Sequence, residues 1–73
     1  MIFTHLKSGN GVNIESGVVL QSCTIDDNAT VGNSSVVLEG AVIERGAVVA
    51  PNSFVPAGRL IPGNQLWAGS PVQ

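Results

Sequence analysis

Aliphatic residues return at every sixth position through most of this chain: Val19, Ile25, Val31, Val37, Ile43, Val49, Val55 and Ile61, closing with Trp67. Three positions after the later members stand residues that suit tight corners: Asn28, Ser34, Gly40, Gly46, Asn52, Gly58 and Asn64. A period of six fits neither common alternative. An amphipathic helix repeats its apolar positions at three and four, and a hairpin sheet alternates and resets at each turn. Gly and Asn enter the left-handed backbone region at least steric cost, while Val and Ile suit a pleated, half-buried surface. Each unit therefore reads as a short strand with one inward aliphatic, followed by a corner. Two positions before the aliphatic the residue is mostly small (Gly17, Cys23, Ala29, Ser35, Ala41, Ala47, Ser53), which marks a second, crowded inward position. Three units make a triangular turn of about 18 residues, and the turns stack at roughly 4.8 Å.

Upstream the register weakens. Asn10 and Ser16 hold the corner position, but Lys7 and Asn13 occupy the inward one. Residues 1–12 are accordingly expected to form an irregular N-terminal coil or cap, 13–66 a regular hexapeptide-repeat β-helix of about three coils, and 67–73 a C-terminal cap and tail. Trp67, with Pro62 and Pro71 around it, is expected to plug the C-terminal end, and Phe3 and Leu6 are the residues available to cover the other.

The sequence has 73 residues, enough for one small domain that buries a modest share of its surface. Its single cysteine, Cys23, offers no internal disulfide, so association with further copies is the expected source of stability. Three basic residues, Lys7, Arg45 and Arg59, are scattered among five acidic ones, which leaves no footprint for nucleic acid. No apolar run reaches the roughly 18 residues of a membrane span, and the N-terminus lacks a secretion-signal pattern, so a cytoplasmic location is expected.

From Leu20 onward the string LQSCTIDDNATVGNSSVVLEGAVIERGAVVAPNSFVPAGRLIPGNQLWAGSP resembles the C-terminal half of the coil in gamma-class carbonic anhydrases. CTIDDNATVG and VPAGRLIPGNQLWAGSP are the specific parts; the hexads themselves are shared with acyltransferases of the bacterial hexapeptide class. The resemblance implies that the β-helix is left-handed and assembles as a trimer. It also implies a zinc ion held between subunits by three histidines. Two of these lie five residues apart, at positions held here by Ser16 and Gln21, and the third is expected on an earlier coil ahead of Met1. The family's long C-terminal helix is not expected, since the sequence reaches Gln73 directly after AGSP. A zinc that activates water needs three good ligands. Serine and glutamine are poor ones, so no metal site, cofactor or carbonic anhydrase activity is expected.

Other candidate chemistry is sparse. His5, the only histidine, could reach a metal only on a symmetry axis, and a solvated or capping role is the simpler reading. Cys23 sits in the small inward register with no neighbouring histidine, as a buried thiol would. Asp26 and Asp27 adjoin the corner at Asn28, where carboxylates are normally solvated. Acyl transfer is the main competing chemistry, because Gly69, Ser70 and Pro71 keep part of an acyl-coenzyme A enzyme's terminal element. Those enzymes use a histidine base in the coil, and this coil has none.

Side chains flanking each inward aliphatic should point outward. One face would then show Val18, Leu20, Val36, Leu38 and Phe54, a strip free of charge. The second carries Thr24, Asp26, Val42 and Glu44, and the third Val12, Ile14, Thr30, Val48 and Ala50. Soluble monomers rarely expose such a strip, so the first face is expected to be a subunit interface. The sequence thus points to a non-catalytic homotrimeric scaffold or binding module, and leaves trimer and hexamer, two trimers stacked through their N-terminal coils, as alternatives. The alternatives are an accessory subunit or fragment completing its site with a partner chain, and an acyltransferase-like protein holding an acyl-coenzyme A type ligand between subunits.

Overall fold

The computed structural model describes residues 6–73; His5 and Phe3 lie outside them. Eleven strands follow one another: β1 (Leu6–Ser8), β2 (Asn13–Ile14), β3 (Val19–Leu20), β4 (Cys23–Ile25), β5 (Thr30–Val31), β6 (Val36–Val37), β7 (Val42–Ile43), β8 (Val48–Val49), β9 (Phe54–Val55), β10 (Leu60–Ile61) and β11 (Leu66–Trp67). They form three parallel sheets, ordered β3-β6-β9 (sheet A), β1-β4-β7-β10 (sheet B) and β11-β8-β5-β2 (sheet C). Every strand pairs with the third one along, so the chain winds as a three-sided left-handed parallel β-helix. No helix occurs among the described residues, and none is long and apolar enough to cross a membrane.

The corner residues carry the winding. Asn28, Ser34, Asn52 and Asn64 have φ between 58° and 61°, and Gly40, Gly46 and Gly58 between 71° and 78°. At each of these positions the backbone turns through a region that most side chains disfavour by about 1–2 kcal/mol. Backbone ladders run up the corners as well as the strands. One joins Asn28 N–H to Asn10 O at 2.9 Å, Gly46 N–H to Asp27 O at 2.9 Å and Asn64 N–H to Arg45 O at 3.0 Å.

The interior is a stack of mostly aliphatic side chains. Ile25, Val31, Val37, Ile43, Val49, Val55 and Ile61 are all fully buried, as are the smaller Ala29, Ser35 and Ala47 two positions before three of them. This is the two-register interior expected of the repeat, and it holds from Cys23 to Ile61.

Before Cys23 the register differs from expectation by one residue. Leu6 pairs with Cys23, Asn13 with Thr30 and Val19 with Val36, each seventeen positions apart. Thr24 pairs with Val42 and Val36 with Phe54, eighteen apart. The missing residue lies between Leu20 and Ile25, where the unit is one residue short and has no left-handed corner. Upstream, the corner positions belong to Gly11 and Gly17, both at φ 72°, rather than to Asn10 and Ser16. The inward aliphatics there are Leu20 and half-buried Ile14, rather than residues at the positions of Val19 and Asn13. Val18 and Leu20, expected on the outside, are both fully buried, and Val19 faces out in their place. Strand alternation makes this inevitable, since a one-residue slip sends every side chain to the opposite face. β1 falls within the stretch expected to be irregular and pairs in register with β4.

At the C-terminal end three residues close the coil. Arg59 occupies a small-residue position of the last turn, and its guanidinium lies 5.4 Å from the Trp67 ring centroid. Arg59 Nη2 also donates to Val72 O at 3.3 Å, while Trp67 Nε1 donates to Gln65 Oε1 at 2.9 Å. Val72 is fully buried. The residue over the Trp67 ring is Arg59 rather than a proline; Pro62 is half-buried and Pro71 is exposed.

Candidate assembly surface

Because strand residues alternate, each coil contributes one outward side chain per sheet, and the register stacks these into ladders. On sheet A the ladder is Val19, Val36 and Phe54, all half-buried, and it is apolar throughout. Leu38 and Pro56, just past β6 and β9, widen it toward the next corner. On sheet B the ladder runs Thr24, Val42, Leu60, bordered by exposed Asp26 and half-buried Glu44. On sheet C it runs Asn13, Thr30, Val48, Leu66. Of the residues expected on this face, Val36, Leu38 and Phe54 are at it, Val18 and Leu20 are in the core, and Val19 takes an outward position there. The overlooked signal was Gly11 and Gly17, whose spacing to Asn28 shows the short unit.

Four of the five acidic residues serve the corners. Asp27 Oδ1 accepts the Asn10 N–H at 2.9 Å, and Asp26 Oδ1 accepts the Asp27 N–H at 3.0 Å. Glu15 Oε1 takes the Asn33 N–H at 3.1 Å and Glu44 Oε1 the Gly63 N–H at 3.2 Å. Three of these four carboxylate bonds tie one coil to the next; only the Asp26 bond is local.

Ser16 and Gln21 lie exposed at the two ends of β3. Their main chains are held by Asn33 Oδ1 and by Val37 O, both at 2.9 Å. Neither a hydroxyl nor a neutral amide is a competent zinc donor in such a place, so these residues do not fit the metal that the gamma-class resemblance implies. Among the described residues no three His, Cys, Asp or Glu side chains gather as a metal-binding group. Cys23 is buried and free, and desolvation pushes its thiol pKa above the ordinary value, partly offset by a backbone hydrogen bond. A thiol held protonated in this way is a poor nucleophile.

A hexapeptide-repeat β-helix with one uncharged apolar face is what these elements define. Residues 22–57 match the family described as bacterial transferase hexapeptide (six repeats), which supports a place for the chain among hexapeptide-repeat proteins. Its fold is that of a hexapeptide transferase family protein from Anaplasma phagocytophilum, 22% identical with a TM-score of 0.63. The alignment covers 99% of this chain and 64% of that one. A serine acetyltransferase solved in complex with CoA also aligns, at 23% identity and a TM-score of 0.46, over 93% of this chain and 38% of the other. No curated protein matches the sequence.

Proposed function

We propose that the chain is a non-catalytic assembly module, a gamma-class-like hexapeptide coil without the zinc ligands, that forms a homotrimer through the outer face of sheet A. The observation carrying this reading is the unbroken ladder Val19, Val36, Phe54, flanked by Leu38 and Pro56. Sheet B borders its ladder with the charged Asp26 and Glu44, and sheet C begins on Asn13. An apolar strip of this length, uncharged on every coil, stabilises an assembly by leaving water and leaves a monomer poorly soluble. Three copies are the number the gamma-class resemblance implies.

Native mass spectrometry tests it, because one spectrum reports copy number and bound metal together. The expected mass is a metal-free trimer, or a hexamer if trimers also stack through their N-terminal coils. Leu38→Asp should give a monomer that keeps its β-type circular dichroism. A wild-type monomer, or a Leu38→Asp protein of unchanged mass, would overturn the reading. Bound zinc, or saturable binding of coenzyme A by calorimetry, would return the enzyme alternatives to the front.

A further inference from the structure

We propose that the turn formed by residues 68–73 is a cap that keeps a latent self-pairing edge closed, and that this edge, β9-β10-β11, takes the C-terminal end of a second copy when the cap is loosened. Sheet A ends differently from the other two. Where a further strand would stack on β9, the Phe54 N–H donates to Gly69 O at 2.9 Å and the Phe54 C=O accepts the Val72 N–H at 3.0 Å. The turn is closed on itself by Gln73 N–H to Ala68 O at 3.0 Å and by a Gly69 to Val72 bridge. Val72 is fully buried against the top of the coil, and Arg59 holds its carbonyl.

β10 and β11 are the terminal strands of sheets B and C. A sheet edge of this kind templates pairing with another chain. The partner fitted to three edges at once is another three-sided coil with the same spacing. About a two-fold axis perpendicular to the coil, a second copy presents its own β9, β10 and β11 antiparallel to these, a self-complementary contact that closes at two ends. Leu60 and Leu66, 48% and 67% exposed on the last turn, would shelter one another across that junction. With the 68–73 turn on β9, the second coil is held at least one strand layer away from β10 and β11, and none of the three edges can pair.

The test measures mass by light scattering across a concentration series, in a Leu38→Asp background so that lateral assembly through sheet A does not enter. Val72→Asp, which expels the turn by placing an acid in its socket, should double the mass while β-type circular dichroism persists. Arg59→Ala, which frees the Val72 carbonyl without adding charge, should give the same doubling at a higher concentration than Val72→Asp needs, where the parent stays single. If Val72→Asp loses the β signal, the arginine variant decides. An Arg59→Ala protein whose Phe54 and Val72 amides exchange faster with solvent while its mass stays at the parent value overturns the proposal. So does a folded Val72→Asp protein of parent mass, and so does growth to unlimited fibres, because the two-fold contact must close.

Discussion

Gly46 and Gly58 occupy equivalent corner positions at φ 71° and 73°, yet a side chain would meet different surroundings. Nothing lies within 4 Å of where a Cβ would stand on Gly58, while on Gly46 it would run into Asn64 Oδ1. Gly58→Ala should therefore lose only the left-handed backbone term, about 1–2 kcal/mol. Gly46→Ala should lose more, and adding Asn64→Gly should restore the Gly58 value, as chemical denaturation of the four proteins would show. A similar contrast holds in the core. Ser35 Oγ donates to Ala50 O at 3.0 Å and accepts the Ser53 N–H at 3.3 Å, but Ser53 Oγ is buried without a partner. Ser35→Ala should cost about 1 kcal/mol, whereas Ser53→Ala should be neutral or stabilising by a comparable amount. Cys23 supplies a pH signature. Its folded thiol keeps its proton beyond the ordinary value, so above that value the folded chain binds more protons than the unfolded one and stability falls as pH rises further. Alkylation of Cys23 at neutral pH should be slow until denaturant is added.

At the scale of the strand and its corner, the repeat from Cys23 to Ile61 was legible because each unit carries both its inward aliphatic and its corner residue. The first coil was not, because two adjacent valines and a leucine, Val18 to Leu20, satisfy either register and only the glycines distinguish them. The C-terminal plug was half legible. A tryptophan closing the aliphatic series marks an end, but nothing in the spacing says that Arg59 will lie over its ring or that Val72 will fold back. The short unit makes its own prediction. A glycine inserted after Gln21 supplies the absent left-handed corner and leaves β3 and β4 facing as they do now, so stability should change by about 1 kcal/mol or less. The same glycine inserted between Val36 and Val37 splits β6 and slips one side of it to the wrong face, and should abolish cooperative unfolding. Thermal melts of the two insertions separate these outcomes.

For the whole molecule, the interior column alone has to hold a chain of 73 residues with no disulfide. Chains of this size bury too little surface for a wide margin, which makes coupling between folding and association the decisive property. If sheet A is buried between three copies, unfolding releases three chains, and each tenfold dilution removes two thirds of the tenfold mass-action factor, about 0.9 kcal/mol per chain. For a domain of this length that amounts to a fall in Tm of about 4–7 °C per decade of concentration. Leu38→Asp should both lower the Tm and flatten this dependence, because its unfolding no longer changes the number of particles. A loosened cap adds a concentration dependence of its own in the same background, through pairing at the other end of the coil. Melting curves of the wild type, Leu38→Asp and Leu38→Asp with Val72→Asp across two decades of concentration should therefore run steep, flat and sloped again. A wild type as flat as Leu38→Asp would mean that the column of Ile25, Val31, Val37 and their neighbours stabilises the coil without help from its outer face.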